Sequence, residues 1–250
     1  MRIVCVTAHP DDETMFAGGT LWLLAKAGAE IHLLCATRGE GGEAGEPPLC
    51  ARTELGTVRE GELRCAARAL GCASVSFLPF RDPDVGKDGA LSAYASAPEA
   101  VIPLMASFLS GKKPDAVITH GTNGEYGHPA HILTHQACRA AAEAAGIPAL
   151  LTFSAMFPGH PRLRSANRDD PADFVVDITS VLDAKSAAVD CYRTQHALFL
   201  RRPSAEAGHP VTLRQTLVNR ESFRLAWAPG KKTAWRQRLA RMLGDACQEL

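Results

Sequence analysis

The chain has 250 residues, with 27 lysines and arginines against 27 aspartates and glutamates, for a formal net charge of zero. That length suits one large domain with a sizeable core, and balanced charge removes the electrostatic case for nucleic acid or an acidic membrane surface as partner. No apolar run reaches membrane-spanning length, and no basic stretch with a long apolar run opens the chain, so a cytoplasmic enzyme is the expectation.

In chain order, Arg2 to Val6 is apolar and too short for a helix, and reads as a buried strand. The run Thr7-Ala8-His9-Pro10-Asp11-Asp12-Glu13 comes next, and Phe16 to Leu24 then turns into a helix. An imidazole and three carboxylates thus fall on a strand-to-helix turn, where an open α/β sheet usually places its chemistry. Like charges packed so closely repel unless a cation or ordered water absorbs them. Ile31 to Thr37 predicts a second strand, and the Gly- and Pro-rich loop from Arg38 to Cys50 is expected to be mobile and able to cover a site.

A helix is predicted from about Ala51 to Leu70, closed by Gly71. Ser74 to Phe80 is a third strand, with Arg81 to Asp84 a turn at its end. A helix from about Ser92 to Leu109, a strand from Ala116 to His120, a loop from Gly121 to Gly127 and a helix from His128 to Ala145 complete the repeat. This order predicts a single α/β domain, a mostly parallel sheet with helices on both faces. Ala149 to Ala155 and Phe174 to Thr179 read as later strands, and Ser180 to Leu250 as mainly helical with an exposed break at Arg201 to Pro210. Eight cysteines (Cys5, Cys35, Cys50, Cys65, Cys72, Cys138, Cys191, Cys247) show no close pair at zinc or redox spacing and are expected to be reduced core residues.

A second chemical cluster, Glu125-Tyr126-Gly127-His128-Pro129-Ala130-His131, again lies directly after a predicted strand. His128 and His131 stand three apart and share a side of the first helical turn. Two strand ends could therefore bring His9, Asp12 and one of these histidines together. Two imidazoles and one carboxylate with an open position is the donor set of a hydrolytic Zn2+ site, which brings the pKa of its water from about 15.7 to near 7. Fe2+, Co2+ or Ni2+ suits the same donors.

These two segments, with Thr37-Arg38-Gly39-Glu40-Gly41, Arg59, Glu62 and a strand-end Asp82, resemble the zinc-dependent de-N-acetylases of the LmbE/PIG-L family over most of the first 135 residues. The resemblance implies a Rossmann-like sheet, one zinc per chain and hydrolysis of an N-acetyl group on an N-acetylglucosamine-containing small molecule. It implies His9, Asp12 and His131 as zinc ligands, and Asp11 as the general base that takes a proton from the water and later hands it to the departing amine. The bland alternative for Asp11 is a helix N-cap. His128 resembles the family imidazolium that stabilises the oxyanion. The commonest family pattern, however, has an aspartate where this chain has Ala130, so the protonation of His128 is open.

For the substrate, the resemblance points to Arg59 and Asp82, and Tyr126, one residue before Gly127, is placed to reach the substrate or leaving group from a mobile loop. Their bland readings are a charge on a solvated helix face, a turn carboxylate beside Pro83 and a packed phenol. The partner expected is a small amino-sugar molecule, and relatives often form homo-oligomers. His32, His120 and His135 read as strand or helix-packing histidines, and Lys185, Tyr192 and Gln195 carry no assigned role. Two further readings stand beside the hydrolase. One is a nucleotide- or sugar-binding α/β module, which would need glycines where His9-Pro10-Asp11-Asp12 stands. The other is a catalytically altered relative.

Overall fold

The computed structural model describes residues 1–250. Its first half runs β1 (Arg2–Thr7), α1 (Asp12–Lys26), β2 (Glu30–Cys35), α2 (Leu55–Leu70), β3 (Ser74–Phe77), α3 (Ile102–Lys112), β4 (Ala116–Thr119), the single turn α4 (Gly124–Gly127) and α5 (Pro129–Ala144). Next come β5 (Leu150–Phe153), β6 (Ala155–Met156), β7 (Asn167–Pro171), β8 (Phe174–Asp177), α6 (Leu182–Val189) and α7 (His196–Ala207). The chain ends with α8 (Leu213–Thr216), β9 (Arg220–Trp227), α9 (Lys232–Leu243) and β10 (Cys247–Glu249).

The main sheet has the order β10-β8-β9-β5-β4-β1-β2-β3. From β3 to β5 every pairing is parallel, as expected, and β9, β8 and β10 extend that edge antiparallel. The chain leaves β1 toward β2 and β3, then returns to lay β4 on the other side of β1. The C-terminal ends of β1 and β4 therefore flank a topological switch point, where such sheets open a crevice.

Alternation along β1 builds the two cores. Ile3 and Cys5 join Leu21 and Leu24 of α1, Leu63 and Leu70 of α2, and Trp235 and Leu239 of α9. Val4 and Val6 join Met105 and Leu109 of α3, and Leu133 and Ala137 of α5.

The structure corrects several expectations. The third helix begins at Ile102 rather than Ser92, because Pro98 and Pro103 are tolerated at the start of helical geometry and not within it, and Ser92 to Ala97 are irregular. The C-terminal third is less helical than read: β9 is an eight-residue strand whose alternating pattern is masked by the buried polar Glu221 and Ser222. The predicted break at Arg201 to Pro210 is mostly helix, since α7 runs through Pro203 on an exposed surface and stops only at Gly208.

A further correction concerns cysteine. Cys65 of α2 and Cys191, just past α6, form a disulfide with a Cα separation of 5.8 Å across 126 positions of sequence, a pairing that spacing could not reveal. Cys5, Cys35 and Cys138 are buried and free, as expected. Such a bridge is commoner in oxidising compartments, so cysteine usage does not support the cytoplasmic expectation.

The C-terminal third also holds the helices that carry the site. Lys185 donates to the Met15 carbonyl at 3.0 Å and to Glu221 Oε1 at 2.7 Å. Glu221 in turn accepts the mid-helix amides of Gly19 and Thr20 in α1 at 2.9 and 2.7 Å. Tyr192 donates its hydroxyl to the buried Glu13, and Thr194 donates from both backbone and hydroxyl to Glu62 of α2. Gly19 is required by contact, because a Cβ there would lie 2.6 Å from Ile178.

Candidate active site

The tips of β1 and β4 meet as the two motifs predict. His9 Nδ1 lies 3.2 Å from His131 Nε2 and 3.5 Å from Asp12 Oδ2, and His131 Nε2 lies 3.3 Å from Asp12 Oδ1. His9 lies just past β1, Asp12 opens α1 and His131 sits in the first turn of α5, so three elements of the crevice each supply one donor. The ligating atoms of His9, His128 and His131 lie within 4.8 Å of one another, as do those of Asp12, His120 and His131.

The outer nitrogens of both central histidines face carboxylates. His9 Nε2 lies 3.2 Å from Asp82 Oδ1, and His131 Nδ1 lies 2.6 Å from Glu125 Oε2. With a proton on each outer nitrogen, the inner lone pairs of His9 and His131 converge beside Asp12, which is how a metal-binding imidazole is usually oriented. Burial works against charge on His9, yet Asp12 and Asp82 raise it to about 9.

Asp11 occupies the N-cap position of α1, but its carboxylate caps nothing. Its backbone is left-handed, with φ 112°, and its Oδ2 accepts from Arg59 Nη2 at 3.0 Å. Burial pushes the Asp11 carboxyl up to about 7 while Arg59 pulls the other way. Arg59 is not on a solvated face: it is 3% exposed. It also donates to the carbonyls of Pro10 at 2.6 Å and Gly39 at 2.9 Å.

His128 packs against the pair, its ring 4.6 Å from that of His131 and 4.8 Å from that of His9. Its Nδ1 accepts from the Ala130 amide at 3.2 Å, so the ring's hydrogen sits on Nε2. Burial and the neighbouring His131 and His9 hold His128 down to about 3, which makes it a neutral donor at ordinary pH. Tyr126 lies over this end with its ring edge-on to His128 and His131 and half its surface in solvent.

Asp82 is buried and spoken for: besides facing His9, it accepts from Gly41 N at 3.2 Å. The loop from Arg38 to Cys50, expected to be mobile, is instead tied down, through Asp82, through Arg52 to the carbonyls of Gly41 and Gly42, and through Arg201 to Glu43. His120, read as a strand-closing histidine, lies inside the cluster, its Nε2 accepting from Ala8 N at 3.0 Å and its Nδ1 2.8 Å from Glu125. His135 donates to the His120 carbonyl and stays outside. Glu125 opens the second motif with no role assigned to it and Asn167 carries no local signal in the sequence, so only their contacts reveal what they do.

Residues 4–142 match the family model described as PIG-L, GlcNAc-PI de-N-acetylase. The chain belongs to the PIG-L family. Among curated PIG-L relatives, the 1D-myo-inositol 2-acetamido-2-deoxy-alpha-D-glucopyranoside deacetylase of Rhodococcus opacus is 32% identical over 237 residues, covering 78% of this chain and 81% of its own. The N,N'-diacetylchitobiose deacetylase of Pyrococcus horikoshii superposes with a TM-score of 0.60 at 21% identity, covering 93% of this chain and 88% of its own. GalB, the 4-carboxy-2-hydroxymuconate hydratase of Pseudomonas putida, superposes at 0.59 with 22% identity, covering 90% of this chain and 96% of its own. At such identities these two structures establish the fold alone, and one fold hosting two reactions leaves the chemistry to be argued from the site.

Proposed function

We propose that this PIG-L family member is a metal-dependent de-N-acetylase that hydrolyses the N-acetyl group of an N-acetylglucosamine-containing small molecule, releasing acetate and a free amine. One observation carries the reading: His9 Nδ1, His131 Nε2 and Asp12 converge within 3.2–3.5 Å beside a carboxylate, Asp11, that no cap or ladder uses. The relatives named deacetylases support the substrate class. His9, Asp12 and His131 would hold the ion, and two imidazoles with a carboxylate suit Zn2+ first, with Fe2+, Co2+ and Ni2+ also matched. When bound, such an ion supplies Lewis-acid polarisation and lowers the pKa of its water from about 15.7 to near 7.

The chain's own residues do the rest. Asp11, raised by burial toward neutrality, accepts the proton of the attacking water as its oxygen bonds to the acetyl carbon. It returns that proton to the amine nitrogen as the carbon–nitrogen bond breaks. His128 presents Nε2–H to the carbonyl oxygen where charge develops, a donor worth about 10²–10³ in rate. Arg59 keeps Asp11 aimed and favours its ionised form, and Asp82 keeps the Nδ1 of His9 inward. Tyr126, at the mouth, is the residue left free to meet the sugar or its aglycone.

The test is a panel of N-acetylglucosaminides assayed for free amine and acetate, with and without a chelator, with metal content measured on the same sample. Amine release that disappears on chelation and returns with Zn2+ is expected. Release that ignores the chelator, or none from any member of the panel, defeats the reading.

A further inference from the structure

Glu125 carries none of the roles above, yet its carboxylate accepts from four partners. Oε2 faces His131 Nδ1 at 2.6 Å and His120 Nδ1 at 2.8 Å, and Oε1 accepts from Gly121 N and Asn167 Nδ2, each at 3.0 Å. The residue is 3% exposed. Its backbone stands at φ 59° and ψ −71°, a γ-turn conformation that costs a residue with a Cβ about 1–3 kcal/mol and persists only where the surroundings impose it.

Asn167 of β7 imposes it. Its Oδ1 accepts the amides of Asn123 and Glu125, each at 3.1 Å, and its Nδ2 also donates to the Phe153 carbonyl at 2.9 Å. Every donor and acceptor of this buried amide is used. Nothing larger than glycine fits opposite, because a Cβ on Gly121 would lie 2.1 Å from the Asn167 side chain.

A strained turn, a buried amide and a glycine thus combine to aim one carboxylate at two imidazoles. His120 needs that oxygen because its Nε2 already accepts from Ala8 N. His131 needs it because only a hydrogen on Nδ1 leaves the Nε2 lone pair facing His9 and Asp12. We propose that Glu125, supported by Asn167, is the positioning residue of the metal centre: it fixes the hydrogen of His131 on Nδ1 and, through the same oxygen, seats His120 behind Asp12. The proposal rests on the metal-centre reading above. Asp82 does the equivalent for His9, so each imidazole ligand has its own carboxylate.

The experiment uses the full chain, 15N-labelled at histidine, and reads the His131 tautomer from long-range 1H–15N correlations before and after loading with Zn2+. Zinc affinity is measured by competition with a chromophoric chelator for the unaltered chain, E125Q, and H131A. The expected result is a hydrogen on His131 Nδ1 in the unaltered chain. In E125Q the amide NH2 must meet one of the two donor pairs, Gly121 with Asn167 or the two imidazoles, and where it meets the imidazoles it donates to Nδ1 of His131 and drives that hydrogen to Nε2. The variant should bind zinc about 10–100-fold more weakly and show a mixed His131 tautomer. A hydrogen on Nε2 in the unaltered chain overturns the proposal without any variant, even if E125Q does not fold. So does a folded E125Q with unchanged affinity and tautomer. If H131A binds zinc as tightly as the unaltered chain, the metal centre itself has been misplaced, a failure distinguishable from that of Glu125.

Discussion

Replacing Arg59 by methionine removes a positive charge 3.0 Å from Asp11 Oδ2, between side chains that are 3% and 14% exposed. Burial raises Asp11 to about 7 with Arg59 present. An opposite charge at this range typically lowers a carboxylate by about 1–3 units, or ~1.4–4 kcal/mol favouring the charged form. Without Arg59 the group should therefore titrate at roughly 8–10. Asp11 works as a base only when ionised, so a higher pKa moves the acid limb of the rate profile to higher pH. At pH 7 the ionised fraction falls from about one half to between about a tenth and a thousandth, a loss of roughly 5- to 500-fold that reverses as the pH is raised.

The assay is kcat/KM from about pH 5 to 10 for the unaltered chain, R59M and R59K, on the best substrate of the panel. R59K keeps the charge and should keep the limb, although its contact with Gly39 is weakened. If R59M raises KM and leaves the shape of the profile unmoved, Arg59 touches the sugar, as the family resemblance implies, and its link to Asp11 has no kinetic weight.

D11N should lower the rate by about 10²–10⁴ with zinc content unchanged, and parallel loss of metal would move Asp11 into the ligand set. In A130D a carboxylate near His128 should lift that imidazole from about 3 by at least about one unit, read by NMR titration. An unchanged titration would mean the new side chain stays in the apolar cluster that Ala130 now joins. Opening the Cys65–Cys191 bridge, by reduction or by C65A, frees a closure spanning 126 positions. Chain entropy sets the resulting loss at up to about 5 kcal/mol, measured by urea unfolding, and an unchanged midpoint would show that the two thiols are not joined in solution. G19A should cost about 1–3 kcal/mol by overpacking against Ile178, whereas G61A, with open space around it, should be neutral or stabilising.

The crevice was legible because each half of it is local in sequence. His9, Asp11 and Asp12 stand directly after β1, and His128 and His131 lie at the end of the short segment that leaves β4 and at the start of α5, so finding the strands located the residues. The alternation of strands and helices then supplied the parallel order that brings the tips together. What escaped reading depends on distance along the chain or on backbone shape. Glu125 looks like any loop acid until its turn aims it inward, and His120 looks like the end of a strand until Ala8 and Glu125 claim its nitrogens. Arg59 could not be told from its charged neighbours in α2 without knowing that Pro10 and Gly39 lie over it. Lys185, Tyr192 and Glu221 contact α1 from far downstream, and β9 hides its period behind the glutamate that makes one of those contacts.

The last third of the chain sets a limit on dissection. The family match ends at residue 142, but Glu13 and Glu62 find their hydroxyl donors at Tyr192 and Thr194, and the amides of Gly19 and Thr20 find an acceptor in Glu221. A fragment trimmed to the matched span would take these partners from both acids and bare to water the faces of α1 and α2 against which α6 packs. Anyone hoping to transplant this catalyst into a smaller scaffold must therefore take the tail with the head, and shuffling of tails among relatives should succeed only where those downstream hydroxyls travel along.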